Sequence, residues 1–133
     1  MSRGRVLIVD DFEDARDLYA EFLRLQGYEV SGAADGPAAL NLALPAGYDV
    51  IVLDLALPRM DGLEVLRQLR RNAKTKSTPI IILSASVGHE PREDALAAGA
   101  DMFLEKPCLP DELEQAIQSV LPRRSRTARS SRE

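Results

Sequence analysis

The sequence predicts an α/β fold, a parallel sheet covered by helices on both faces, and three observations carry that expectation. Short apolar runs alternate with segments of helical periodicity along most of the 133 residues. The runs Ile51-Val52-Leu53 and Ile80-Ile81-Ile82-Leu83 are apolar at consecutive positions, as strands buried on both faces must be. Gly and Pro stand where the pattern changes, at Gly27, Gly36-Pro37, Gly99 and Pro122.

Each element has its own signal. Arg5-Val6-Leu7-Ile8-Val9 reads as a buried strand ending in Asp10-Asp11. A helix follows from about Phe12 to Gln26, with Ala15, Leu18, Tyr19, Phe22 and Leu25 as its apolar stripe and Gly27 as its cap. Glu29 to Ala33 is a second, weaker strand. Gly36-Pro37 opens a helix through about Leu44, with Pro in the first turn. Tyr48 to Asp54 is the third strand. Asp61 and Glu64 resemble the two ends of a capping box, and Leu66 and Leu69 give that helix its core face. Thr78 to Ser84 is the fourth strand, and Pro91 to Ala98 the next helix, ended by Gly99. Asp101 to Leu104 is a short fifth strand. The last helix, Leu109 to Leu121, carries Leu109, Leu113, Ile117 and Val120 on one face. Five strands thus alternate with five helices, without internal repeats.

Composition narrows the function classes. The chain is 45% hydrophobic and 29% charged, which suits one globular domain with a real core. No apolar run approaches the ~20 residues a membrane helix needs. The N-terminus leads straight into a strand without a signal-peptide pattern, and the single Cys108 fits a reducing compartment, so a cytoplasmic location is expected. Residues 122–133 hold five Arg and one Glu, a tail of +4, which leaves the body at -8 out of a net charge of -4. An acidic body argues against nucleic-acid binding by the domain, residues 1–121. The tail lacks apolar periodicity and is expected to be disordered.

The polar residues that interrupt this pattern fall at strand ends. The first, third and fourth strands end in Asp10-Asp11, Asp54 and Ser84, and the fifth is followed by Lys106-Pro107. Right-handed crossovers bring these ends to one edge of the sheet, where open α/β sheets bind ligands. Three adjacent carboxylates repel one another unless a cation joins them. Magnesium suits such an oxygen site and commonly shares carboxylates with a phosphate. With Lys106 and Ser84 aimed at the same place, Asp54 reads as a nucleophile for phosphoryl transfer.

At this point the sequence resembles the receiver domain of two-component response regulators. The matching features are Asp10-Asp11 after "RVLIV", Asp54 in "VLDLALPRMDG", Ser84 in "IIILSA", "ALAAGADMF" with Phe103, and Lys106-Pro107, in the family's order across about residues 4–121. The resemblance implies a flavodoxin-like doubly wound sheet of five parallel strands in the order 2-1-3-4-5. It implies that Asp54 is the phosphoacceptor, that Asp11 binds magnesium directly and Asp10 largely through water, and that Ala56 offers its backbone carbonyl. Ser84 and Phe103 take the places of the switch hydroxyl and switch aromatic, and Lys106 that of the phosphate-contacting lysine. The implied donor is a histidine kinase or histidine phosphotransfer protein. The implied output is protein contact through the fourth helix, fifth strand and last helix, in a stand-alone receiver, a phosphorelay intermediate or a piece of a longer regulator. Ala56 departs from the family in lacking a side chain to place a hydrolytic water, and Cys108 stands where a larger apolar residue is common.

Other readings exist for each residue. Asp10-Asp11 alone would suit a helix N-cap. Asp54 and Lys106 alone would make a structural ion pair, Ser84 a strand-end hydroxyl, and Phe103 and Cys108 core residues. His89, the only histidine, reads as an exposed loop residue, without the partners of a zinc site. A flavodoxin-like cofactor binder would need a Ser/Thr/Gly-rich loop where this chain has Asp-Asp-Phe-Glu-Asp. A magnesium-dependent aspartyl-phosphate hydrolase would place a second Asp at position 56.

Overall fold

The structure, a computed structural model, describes residues 2–45, 47–85 and 89–121. The tail expected at 122–133, and residues 86–88 of the loop between Ser84 and His89, lie outside the described residues. Ten elements alternate: β1 (Arg5–Val9), α1 (Glu13–Leu25), β2 (Glu29–Ala33), α2 (Gly36–Ala43), β3 (Val50–Leu53), α3 (Gly62–Arg71), β4 (Ile80–Ser84), α4 (His89–Ala97), β5 (Met102–Glu105) and α5 (Pro110–Val120). The strands pair in parallel in the order β2-β1-β3-β4-β5, the doubly wound order that the resemblance implies.

Strand periodicity divides the core into two layers. Leu7, Val9, Ile51, Leu53, Ile80 and Ile82 face α2, α3 and α4. Val6, Ile8, Val50, Val52, Ile81 and Leu83 face α1 and α5, through Tyr19, Leu23, Leu113 and Ile117. Apart from Arg5 at the start of β1 and Ser84 at the end of β4, the three central strands are therefore apolar throughout, because neither face meets water. Each such side chain stabilises the fold by roughly 1.5–3 kcal/mol.

Several sequence-based boundaries shift. The third strand ends at Leu53, so Asp54 stands just past it, with its N–H on the Val9 carbonyl (3.0 Å). The first helix buries Tyr19, Ala20 and Leu23, while Leu18 and Leu25 are exposed. Two stripes with 3- and 4-residue steps run along that helix, and the aromatic one won because Tyr19 reaches the Cys108 carbonyl of the α5 approach (2.7 Å). Leu109 is likewise exposed, as the residue that caps α5 rather than one inside it. His89 opens α4 instead of lying in a loop.

The capping box of α3 forms only half. Asp61 accepts the Leu63 N–H (3.0 Å), but the Glu64 carboxylate turns outward to Gln68, Arg67 and Arg71. The N-cap of α1 is Phe12, not an aspartate. Asp10 instead turns its carboxylate across the turn onto the Phe12 N–H (2.9 Å).

Two polar clusters tie the end of the sheet away from Asp54. Arg70, at the end of α3, donates to the carbonyls of Gly99 (2.9 Å), Thr75 (3.2 Å) and Thr78 (2.6 Å) and to Asp101 (2.9 Å). Asp101 also takes the N–H of Ile80, the first residue of β4 (2.8 Å). On the other face Glu114 accepts from Tyr28 (3.2 Å) and Gln118 and pairs with Arg3 (3.2 Å). Burial and the Glu114 charge outweigh Arg3 and push the Tyr28 phenol up to about 12.

Candidate functional site

The C-terminal ends of β1 and β3 lie side by side, because Val9 pairs with Leu53. The next residue on each strand is an aspartate. Asp10 and Asp54 are buried, 2% and 6% exposed, while Asp11 is open to solvent. One carboxylate oxygen from each of Asp10, Asp11 and Asp54 lies within 4.8 Å of the others.

Lys106 enters from the end of β5. Its N–H donates to the Ser84 carbonyl (2.8 Å), which sets the two strand ends together. Its ammonium donates to Asp10 Oδ2 (2.7 Å) and Asp54 Oδ2 (3.1 Å). The Lys106–Pro107 peptide is cis. Ser84 is fully buried at the end of β4. Asp54 Oδ1 takes the N–H of Ala56 (3.0 Å).

A tight loop holds this arrangement from the other side. Gly62, the first residue of α3, bonds through its N–H to the Leu55 carbonyl (3.0 Å). A Cβ at Gly62 would stand 2.5 Å from the Asp54 carbonyl oxygen and from Leu55 Cα. Only glycine lets the helix start so close to the Asp54 backbone. The loop between turns through Arg59, whose φ is +70°, and Arg59 reaches back to Asp35 (3.4 Å). A groove of about 290 Å³ lined by Leu55, Ala56, Asp61, Leu63, Glu90, Pro91 and Asp94 runs beside the cluster.

The charges do not balance among the described residues. Lys106 pairs with Asp10 and Asp54, and no described cation pairs with Asp11. Burial pushes the Asp54 carboxyl up, and the Ala56 N–H and Lys106 offset only part of that. For Lys106 burial acts downward, yet the hydrogen bond to Asp10 and the charge of Asp54 win and hold its pKa above the ordinary lysine range. The site therefore has cation-binding capacity left over. Its all-oxygen, anionic donor set fits a hard divalent ion such as magnesium better than a soft metal. In the loop after β1 the Phe12 N–H is taken by Asp10 and so is not free to bind a phosphate.

The structure brings Asp10, Asp11, Asp54 and Lys106 together, with Ser84 joined to Lys106 through the backbone and Ala56 bonded to Asp54. Phe103 lies apart, buried in the core layer that α4 covers, with the Arg92 guanidinium 5.6 Å from its ring. Cys108 is a half-buried free thiol packed against the α1–α5 layer, its pKa pushed up by burial and then by Glu112 and Asp111. Sequence reasoning missed Gly62 and Arg16. The guanidinium of Arg16 donates to the Asp10 carbonyl (2.8 Å). Its signal was a charged residue between the apolar positions Ala15 and Tyr19, which reads equally well as an ordinary surface arginine.

Residues 6–118 match the response regulator receiver domain family. The chain is 42% identical to the transcriptional regulatory protein PrrA of Mycobacterium leprae, over all of this chain and 56% of that protein. It spans about half the length of the curated relatives it matches. Among solved structures it resembles the chemotaxis response regulator CheY4 of Vibrio cholerae, with TM-score 0.84 and 38% identity over 89% of this chain and 98% of that one. It also resembles the receiver domain of the sensor histidine kinase PA1611 from Pseudomonas aeruginosa, solved with magnesium in the active site cleft. There the TM-score is 0.82 and the identity 33%, over 88% of this chain and 96% of the other.

Proposed function

Because this chain belongs to the response regulator receiver domain family, we propose that Asp54 accepts a phosphoryl group and that its modification alters a protein-binding surface. The observation that carries this is the placement of Asp54. It is buried at the carboxyl edge of a doubly wound sheet, shares Lys106 with Asp10, and has more negative charge around it than the described residues neutralise.

The donor is a phosphohistidine on a histidine kinase or a phosphotransfer protein. An Asp54 carboxylate oxygen bonds to phosphorus as the phosphorus–nitrogen bond breaks, and the leaving imidazole nitrogen takes a proton from solvent. The Ala56 N–H, on Oδ1, orients the carboxylate. Lys106, 3.1 Å from Oδ2, stands where the transferred oxygens gather charge. Asp10, Asp11, Asp54 and the Ala56 carbonyl would hold a magnesium ion. When bound, that ion supplies charge neutralisation for the carboxylates and the phosphoryl oxygens. Ser84 offers its hydroxyl to the new phosphoryl oxygens. Ala56 has no side chain to place a hydrolytic water, so the domain depends on the backbone alone there. The chain acts on itself, as a signalling domain of residues 1–121 that takes the phosphoryl group onto its own Asp54.

The output surface is the face formed by α4, β5 and α5, and the downstream partner is a protein. A second reading, a passive phosphoryl carrier, is favoured by Phe103, whose ring is already buried rather than waiting to turn inward.

Acetyl phosphate with MgCl₂ should add one phosphoryl group, read by intact mass and peptide mapping at Asp54. Asp54→Asn or added EDTA should abolish the label, and stoichiometric labelling of Asp54→Asn would overturn the assignment. Beryllofluoride with MgCl₂ should shift NMR signals of Ser84, Phe103 and α4. Shifts confined to the aspartates and their neighbours would select the passive carrier.

A further inference from the structure

We propose that Arg16 is a positioning residue for the acidic cluster. It holds the Asp10 carbonyl, and so fixes the Asp10–Asp11 peptide that aims the Asp11 carboxylate. This rests on the magnesium-dependent reading of the site given above.

Asp10 is held at every polar atom. Its N–H donates to the Ala33 carbonyl (3.0 Å), Oδ1 accepts from Phe12, Oδ2 accepts from Lys106, and its carbonyl accepts from Arg16 (2.8 Å). Of these, only the carbonyl belongs to the peptide plane that leads into Asp11. Asp11 is exposed, so packing does not orient it. The plane of the preceding peptide helps set where the Asp11 Cα–Cβ bond points, and Arg16 holds that plane.

A second observation lies across the sheet. Gly32 pairs with Ile8 in the middle of β2, and its backbone is ordinary extended strand. No turn or positive φ demands glycine there. A Cβ at Gly32 would stand 3.1 Å from Arg16 Cδ and 3.4 Å from Cγ and Nε. Glycine weakens a strand interior, so this position accepts a local loss of stability and leaves room for the arginine stem. Among the described residues Arg16 forms no ion pair with a carboxylate. It reaches the cluster through the Asp10 carbonyl and takes no carboxylate oxygen, unlike Lys106. Second-layer groups that orient metal ligands commonly change metal affinity by 10–100-fold when removed.

The test is magnesium binding by the full chain, measured by calorimetric titration with MgCl₂, beside thermal unfolding without the ion. Arg16→Ala should raise the Kd for Mg²⁺ about tenfold. Gly32→Ala, which keeps the guanidinium but crowds its stem, should raise it in the same direction, and Arg16→Lys should recover part of the loss. Phosphoryl uptake from acetyl phosphate should slow at low MgCl₂ and recover at saturation. An unchanged Kd in Arg16→Ala, even with a lower Tm, would reduce Arg16 to a structural support and overturn the proposal. Should Arg16→Ala fail to fold, unchanged Kd values in Arg16→Lys and Gly32→Ala would do the same. A wild-type chain that binds no Mg²⁺ would overturn the underlying reading and the proposal with it.

Discussion

Asp54 stands in a setting that works against its own charge. Burial raises its pKa above the ordinary 3.8, so the folded chain holds that proton more tightly than the unfolded chain does. A carboxyl with a raised folded pKa costs stability as pH climbs from the unfolded value through the folded one. At neutral pH without divalent cations, ionised Asp54 therefore opposes folding. Asp54→Asn should raise Tm in EDTA at pH 7, because it removes a charge that burial opposes. Below the ordinary carboxyl pKa both side chains are neutral and the gain should vanish. A lower Tm at pH 7 would show that the pair with Lys106 outweighs the burial. The same conflict made Asp54 legible in the sequence, since one carboxylate among Ile, Val and Leu requires a reason. Gly62 and Arg16 lacked that contrast. A glycine after aspartate at a helix start, and an arginine on an amphipathic helix, are already accounted for locally. Their roles depend on what approaches them in three dimensions.

Elements were legible where burial is two-sided. The strands β1, β3 and β4 stood out because a consecutive apolar run admits no other place in a sheet; β1 keeps its bounds, while β3 is shorter at both ends and β4 starts two residues later. The α1 stripe held at Ala15, Tyr19 and Phe22 and missed at Leu18 and Leu25, which match helical spacing as well as Ala20 and Leu23 do, and only the position of α5 chooses between them. Arg70 illustrates a support that no local pattern announces. One guanidinium closes the end of α3, the start of β4 and the turn before β5. Arg70→Ala should cost about 2–3 kcal/mol, read from the urea midpoint, because several carbonyls and Asp101 lose a charged donor. Arg70→Lys should recover less than half of that, since a single ammonium cannot span the same acceptors. Full recovery would mean that only the pair with Asp101 matters.

At the scale of the whole molecule, the two core layers and both polar clusters close within residues 3–121. Removing residues 122–133 is therefore expected to shift Tm by no more than ~2 °C. A larger drop would show that these residues pack on the body. The two exits of that body also meet, for Leu121 Cδ2 lies 3.7 Å from where a Cβ on Gly4 would be. From that corner β1 runs its five residues, roughly 16 Å, before it reaches Asp10. The described body thus begins and ends at one pole, while the aspartates face outward at the other. A neighbour joined to either end is attached on the side away from the aspartates, so the same body can be spliced onto different neighbours without rebuilding its working end.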